Sequence, residues 1–158
     1  MTIFKNKTLL LLTILLSSGS ALAGFDVTRM TTVVDDNNGS YTITTTGRLS
    51  EDQYSGSSVT DFNQFKPGGE NEATINGIIN KQNNRMAGQL SVLADGDFTI
   101  NSLKGDWDVM FTALSVSASE AGVSLAGTVT VNKESYDVSD MPEEIAMLLR
   151  RVFWLTRR

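Results

Sequence analysis

Residues Gly122 to Asn132, Gly-Val-Ser-Leu-Ala-Gly-Thr-Val-Thr-Val-Asn, alternate without a break. Val123, Leu125, Val129 and Val131 fall on one side, and Ser124, Ala126, Thr128 and Thr130 on the other. Strand side chains alternate faces, so this segment reads as a half-buried β-strand. Before it, Trp107 to Ala118 is apolar on both sides. Trp107, Val109 and Phe111 point one way, and Met110, Leu114 and Val116 the other. The short Ser119-Glu-Ala-Gly122 between the two runs predicts a hairpin.

The remaining chain reads as strands added to this hairpin. Phe25 to Val34 is a strand whose alternation slips near Arg29, where a bulge would fit. Asn38-Gly39 predicts a two-residue hairpin turn, and Ser40 to Leu49 alternates well after it. Ser50 to Gly69 is polar, contains Ser55-Gly-Ser-Ser58 and ends in Pro67-Gly-Gly69. It predicts a long loop with a short edge strand near Val59 to Phe65. Ala73 to Asn80 and Arg85 to Ala94 are strands separated by a polar turn, Asn80 to Asn84. Asp95-Gly96 predicts a second tight turn, Asp97 to Leu103 a further strand, and Ser135 to Val138 a short last one. Glycines Gly47, Gly88 and Gly127 recur at similar spacing inside strands, as the bends of a coiled sheet require. Short connections make this an antiparallel meander. The predicted fold is mainly β: a small barrel or two-sheet sandwich of about eight strands over residues 24–138.

From Ser139 the period changes. Ser139 or Asp140 caps a helix, Pro142 suits its first turn, and Glu143 and Glu144 sit at the positive end of the dipole. Ile145, Leu148, Leu149, Val152 and Leu155 share one face, so residues 139–158 predict an amphipathic helix packed on the β-structure. On the opposite face Trp154 is within helical reach of Arg150, Arg151, Arg157 and Arg158. Tryptophan and arginine together suit an anionic lipid surface, lipopolysaccharide or an acidic protein partner. The same arginines could instead complement the helix dipole, cover the indole and dock on the acidic body.

Residues 1–23 carry the address. Lys5 and Lys7 precede an apolar run from Thr8 to Leu16, and Ala21-Leu-Ala23 offers a small-x-small cleavage site. This is a secretory signal, too short to span a bilayer, and it predicts a mature chain from Gly24 in the periplasm, at the cell surface or in the medium.

Composition narrows the chemistry. The chain has no cysteine and no histidine. Thiol nucleophiles, Ser-His pairs and ordinary zinc sites are thereby removed. Residues 24–149 carry 18 acidic and 7 basic side chains, a net of −11, and the four remaining arginines follow. That balance argues against a nucleic-acid-binding body. Asp106-Trp-Asp108 and Asp95-Gly-Asp97 each place two carboxylates on one strand face. Asp35 to Gly39 lacks the spacing of a calcium loop. No cofactor motif is present.

Three functional readings follow. The first is a non-enzymatic envelope protein that binds through Arg150, Arg151, Trp154, Arg157 and Arg158, or through a sheet edge. The second is a small barrel carrying an apolar ligand, with Tyr41, Leu90, Phe111 and Leu125 lining its interior. The third is a carboxylate-dependent hydrolase using Asp106 and Asp108.

Overall fold

A computed structural model describes residues 24–51, 53–68, 73–103, 105–120 and 122–156. The predicted signal segment, residues 1–23, and Arg157 and Arg158 lie outside the described residues. Eight strands form one antiparallel sheet in chain order: β1 Phe25–Val34, β2 Ser40–Ser50, β3 Gln53–Phe65, β4 Thr74–Met86, β5 Gln89–Ser102, β6 Gly105–Ser119, β7 Gly122–Val131 and β8 Glu134–Asp137. Helix α1, Glu143–Leu155, follows. The mainly-β meander and the terminal helix are as the sequence predicts. The sheet, however, stays open, with β1 and β8 as its edges, so it neither closes into a barrel nor divides into a sandwich.

The central hairpin forms as expected, with β6 and β7 paired from Ser119↔Gly122 to Val109↔Val131. Its two-sided apolar pattern has a different cause. Around Ala113 the register slips against both neighbours: Ala94↔Leu114 is followed by Gly96↔Phe111, and Ser115↔Ala126 by Thr112↔Thr128. Ala113 is an extra residue at positive φ (55°), a bulge that carries Leu114 and Val116 to the same face as Val109 and Phe111. A matching bulge in β3, with Gln64 at φ 52°, puts Phe62 and Phe65 on that face too. Near Arg29 the register is continuous, so the expected bulge is absent there.

Other connections also move. Gln53–Phe65 is a full interior strand between β2 and β4, not a loop. Its Ser/Gly-rich start lacks the apolar residues of a strand signal, but it pairs along its length with β2, where Gly56 faces Gly47. The Tyr54 side chain lies across both glycines. A Cβ on Gly47 would come within 2.8 Å of the ring, and one on Gly56 within 2.5 Å of the hydroxyl. Asn80–Asn84 continues β4; the turn is Ala87-Gly88, both at positive φ, so Gly88 is a turn residue. Asp95-Gly96 lies inside β5, where a Cβ on Gly96 would run into the Phe111 ring. Glycine is needed there for cross-strand packing rather than for a turn.

One sheet face, here the inner face, packs on α1. Ile145, Leu149 and Val152 of the helix are buried against Tyr41, Phe62, Ile79, Phe98, Phe111 and Val129. Phe153 meets Phe111 with ring centroids 5.5 Å apart, and Tyr41, Phe62 and Phe65 form a second aromatic group. Burying a side chain of this size contributes about 1.5–3 kcal/mol, so this half of the sheet holds the fold together. The strands run on past it. Residues 24–30, 46–49, 53–57, 82–93, 117–120 and 122–126 include no buried position. The far half of the sheet is therefore a blade open on both faces.

Candidate functional site

The two ends of the helix are held differently. Pro142 stands at the N-cap with no side-chain cap, and its carbonyl accepts the Ala146 N–H at 3.0 Å. Ser139 does not cap; its hydroxyl and N–H both donate to Asp137, at 2.5 and 2.8 Å, and hold that carboxyl below its ordinary range. At the C-terminus Thr156 closes the last turn onto Phe153 O. The Lys81 ammonium, from the inner face of β4, donates to Thr156 O at 2.7 Å and to Oγ1 at 2.8 Å. Lys81 puts positive charge at the dipole's negative end.

Held this way, α1 turns Met147, Arg150, Arg151 and Trp154 to solvent. Trp154 is 58% exposed and Met147 46%. Arg150 pairs with Glu143 on its own helix at 3.3 Å, with both side chains exposed. An exposed pair of this kind contributes little and leaves the guanidinium accessible.

The pairing register sorts the sheet's charges by face. Asp26, Asp61, Asp95, Asp97, Asp106 and Asp108 all project from the outer face, with Arg48 directly opposite Asp26. Arg29, Lys81 and Arg85 project from the inner face of β1 and β4, the side that carries α1. The outer face is thus rich in aspartate, while the helix side is mixed: Glu134 shares the inner face, and α1 exposes Glu143 and Glu144.

The four residues read as an interior lining do not come together. Tyr41 and Phe111 are 1% and 2% exposed, packed under α1; Leu90 and Leu125 are 40% and 51% exposed on the blade. With the sheet open, they line no shared cavity. The outer face carries an open polar trough of about 870 Å3, lined by Asp26, Thr46, Arg48, Ser57 and Asn84 among others. Its place, beside the Gly47–Gly56 pair, has no signal in the sequence beyond those glycines.

One of the paired carboxylates has a structural partner. Asp95 Oδ1 accepts the Ala113 N–H of the bulge at 2.8 Å. Around Asp106 and Asp108 the backbone is held by Asn132, which accepts from Asp108 N at 2.8 Å and donates to Asp108 O and Asp106 O. Asp35 gathers the N–H groups of Asn37, Gly39 and Lys66, joining the β1–β2 turn to the end of β3. Among the described residues no group of three or more acidic, cysteine or histidine side chains is placed to hold a metal ion, and no helix is long and apolar enough to cross a membrane. No protein-family model, curated protein or solved structure matches this chain.

Proposed function

We propose that the chain is an exported, non-enzymatic envelope protein that binds an anionic surface, lipid or lipopolysaccharide, through the outward face of α1. The observation that carries this reading is the exposed line Met147, Arg150, Arg151 and Trp154 on α1, on the side of the sheet away from its outer-face aspartates. An apolar side chain at each end of the line, flanked by arginines, suits the boundary between headgroups and acyl chains. Each arginine near such a surface contributes about 1 kcal/mol. Six outer-face aspartates would be repelled, so the field turns the helix side toward the membrane. Arg157 and Arg158 extend the same basic segment in sequence.

Flotation of residues 24–158 with vesicles tests this. The native chain is expected to float with anionic vesicles and not with zwitterionic ones. Changing Arg150, Arg151, Arg157 and Arg158 to glutamine is expected to abolish flotation. If the native chain stays at the bottom with anionic lipid and with lipopolysaccharide, the reading fails.

A further inference from the structure

We infer that β1 is a self-pairing edge: two copies of the chain join β1 to β1 across a two-fold axis and make one continuous sheet. Among the described residues β1 has no neighbour beyond it. Ten residues long, it contains no proline, bulge or lysine; of the devices that blunt an edge it carries two charges, Asp26 and the inward-pointing Arg29. Hydrogen bonding at the β1–β2 end begins with Asp35 N–H to Gly39 O. Bonded pairs recur every second residue in an antiparallel ladder, so Val33, Thr31, Arg29 and Val27 face β2. The N–H and C=O groups of Asp26, Thr28, Met30, Thr32 and Val34 therefore point to the open side. They form an unfilled ladder. Exposed Phe25, Met30 and Val34 flank it, at 42%, 51% and 41%.

The sequence of β1 selects the partner and the register. Antiparallel partners share a face, so a two-fold axis must pass through a residue paired with itself. Two registers overlap nearly the whole strand. One places Arg29 against Arg29 as a non-bonded pair, with Cα atoms about 4.5 Å apart, where like charges repel. The other centres on Met30. It pairs Thr28 with Thr32, Val27 with Val33 and Arg29 with Thr31. The open groups then bond to one another, no like charges stand directly opposite (the two Arg29 are diagonal neighbours), and two half-exposed methionines cover each other.

The chain has no cysteine, so crosslinking reads the register directly. In the inferred dimer the Met30 Cα atoms are about 5.5 Å apart, within disulfide reach. Thr28 lies more than about 10 Å from its own copy. Native residues 24–158 are expected to sediment as a dimer. Met30→Cys is expected to oxidise to a covalent dimer and Thr28→Cys to remain uncrosslinked. Met30→Lys sets two ammonium groups on the axis at an exposed site. It is expected to weaken the dimer roughly tenfold or more while leaving the monomer's thermal midpoint unchanged. The inference is overturned if the native chain is a monomer at every concentration tested. It is equally overturned if a dimer forms but Met30→Cys crosslinks no better than Thr28→Cys.

Discussion

Lys81 on the inner face of β4 and Thr156 at the end of α1 are joined by two hydrogen bonds, at 2.7 and 2.8 Å. They are 75 residues apart in sequence, and their contact fixes how far α1 extends along the sheet. Arg150 and Arg151, on the opposite face of the helix from the sheet, stay exposed.

Replacing Lys81 with methionine keeps the stem and removes the charge. Hydrogen bonds from a charged donor contribute about 1.5–3 kcal/mol, and a loss of that size is expected in the unfolding free energy by urea titration. Lys81→Arg is expected to lose less. An unchanged midpoint for Lys81→Met would show that the helix is held by its apolar face alone.

The two bulges share one solution. Ala113 N–H is taken by Asp95 Oδ1, and Gln64 N–H by Asn76 Oδ1, each at 2.8 Å. In each case the single residue opposite the bulge supplies a side-chain oxygen that the ladder cannot. Asp95→Ala is expected to cost about 0.5–1.5 kcal/mol, and Asp95→Asn, which keeps the oxygen, much less. Equal losses would assign the effect to charge rather than to the bond.

Thr60 lies at 0% exposure, and its Oγ1 has no partner among the described residues. A buried hydroxyl without a bond costs about 1–3 kcal/mol. Thr60→Val is therefore expected to raise stability by about 1 kcal/mol, seen as a higher thermal midpoint. A lower midpoint would mean that the hydroxyl is satisfied in solution.

Asp137 has its carboxyl held low, first by the Ser139 hydroxyl and then by the Ser139 N–H. A depressed folded-state value contributes stability that is fully present above the unfolded value, about 3.9. It is lost as pH falls through the folded one. Asp137→Asn is expected to flatten the pH dependence of the midpoint below about pH 5, with no change at pH 7 in its slope. A variant whose acid profile matches the native chain would remove Asp137 from the acid response.

The sequence made the fold class legible because alternation and turn residues act locally. Gly122–Asn132 shows its strand within eleven positions. The bulges were not legible, since an extra residue at Ala113 or Gln64 is defined only against a neighbouring strand. They explain why Leu114 seemed to face away from Phe111. The first half of β3 was not legible because Ser55 to Ser58 offers no apolar residue, while Tyr54 and the facing glycines do the packing. Sheet closure depends on strand coiling over the whole domain, which no local pattern reports. At the helix, the shared exposed side of Arg150, Arg151 and Trp154 was legible from period alone. The charge sorting of the sheet was not, because it depends on register across seven strands.

The most direct test of surface binding by α1 follows Trp154 itself. Trp107→Phe leaves Trp154 as the sole tryptophan of the chain. On adding anionic vesicles, its emission is expected to shift to the blue and to be quenched by lipids brominated near the headgroup end of the acyl chain. Arg150→Gln with Arg151→Gln in the same background is expected to weaken both effects. Binding to vesicles with no change in Trp154 emission would contradict the proposed contact face, and no binding at all would contradict the proposed function.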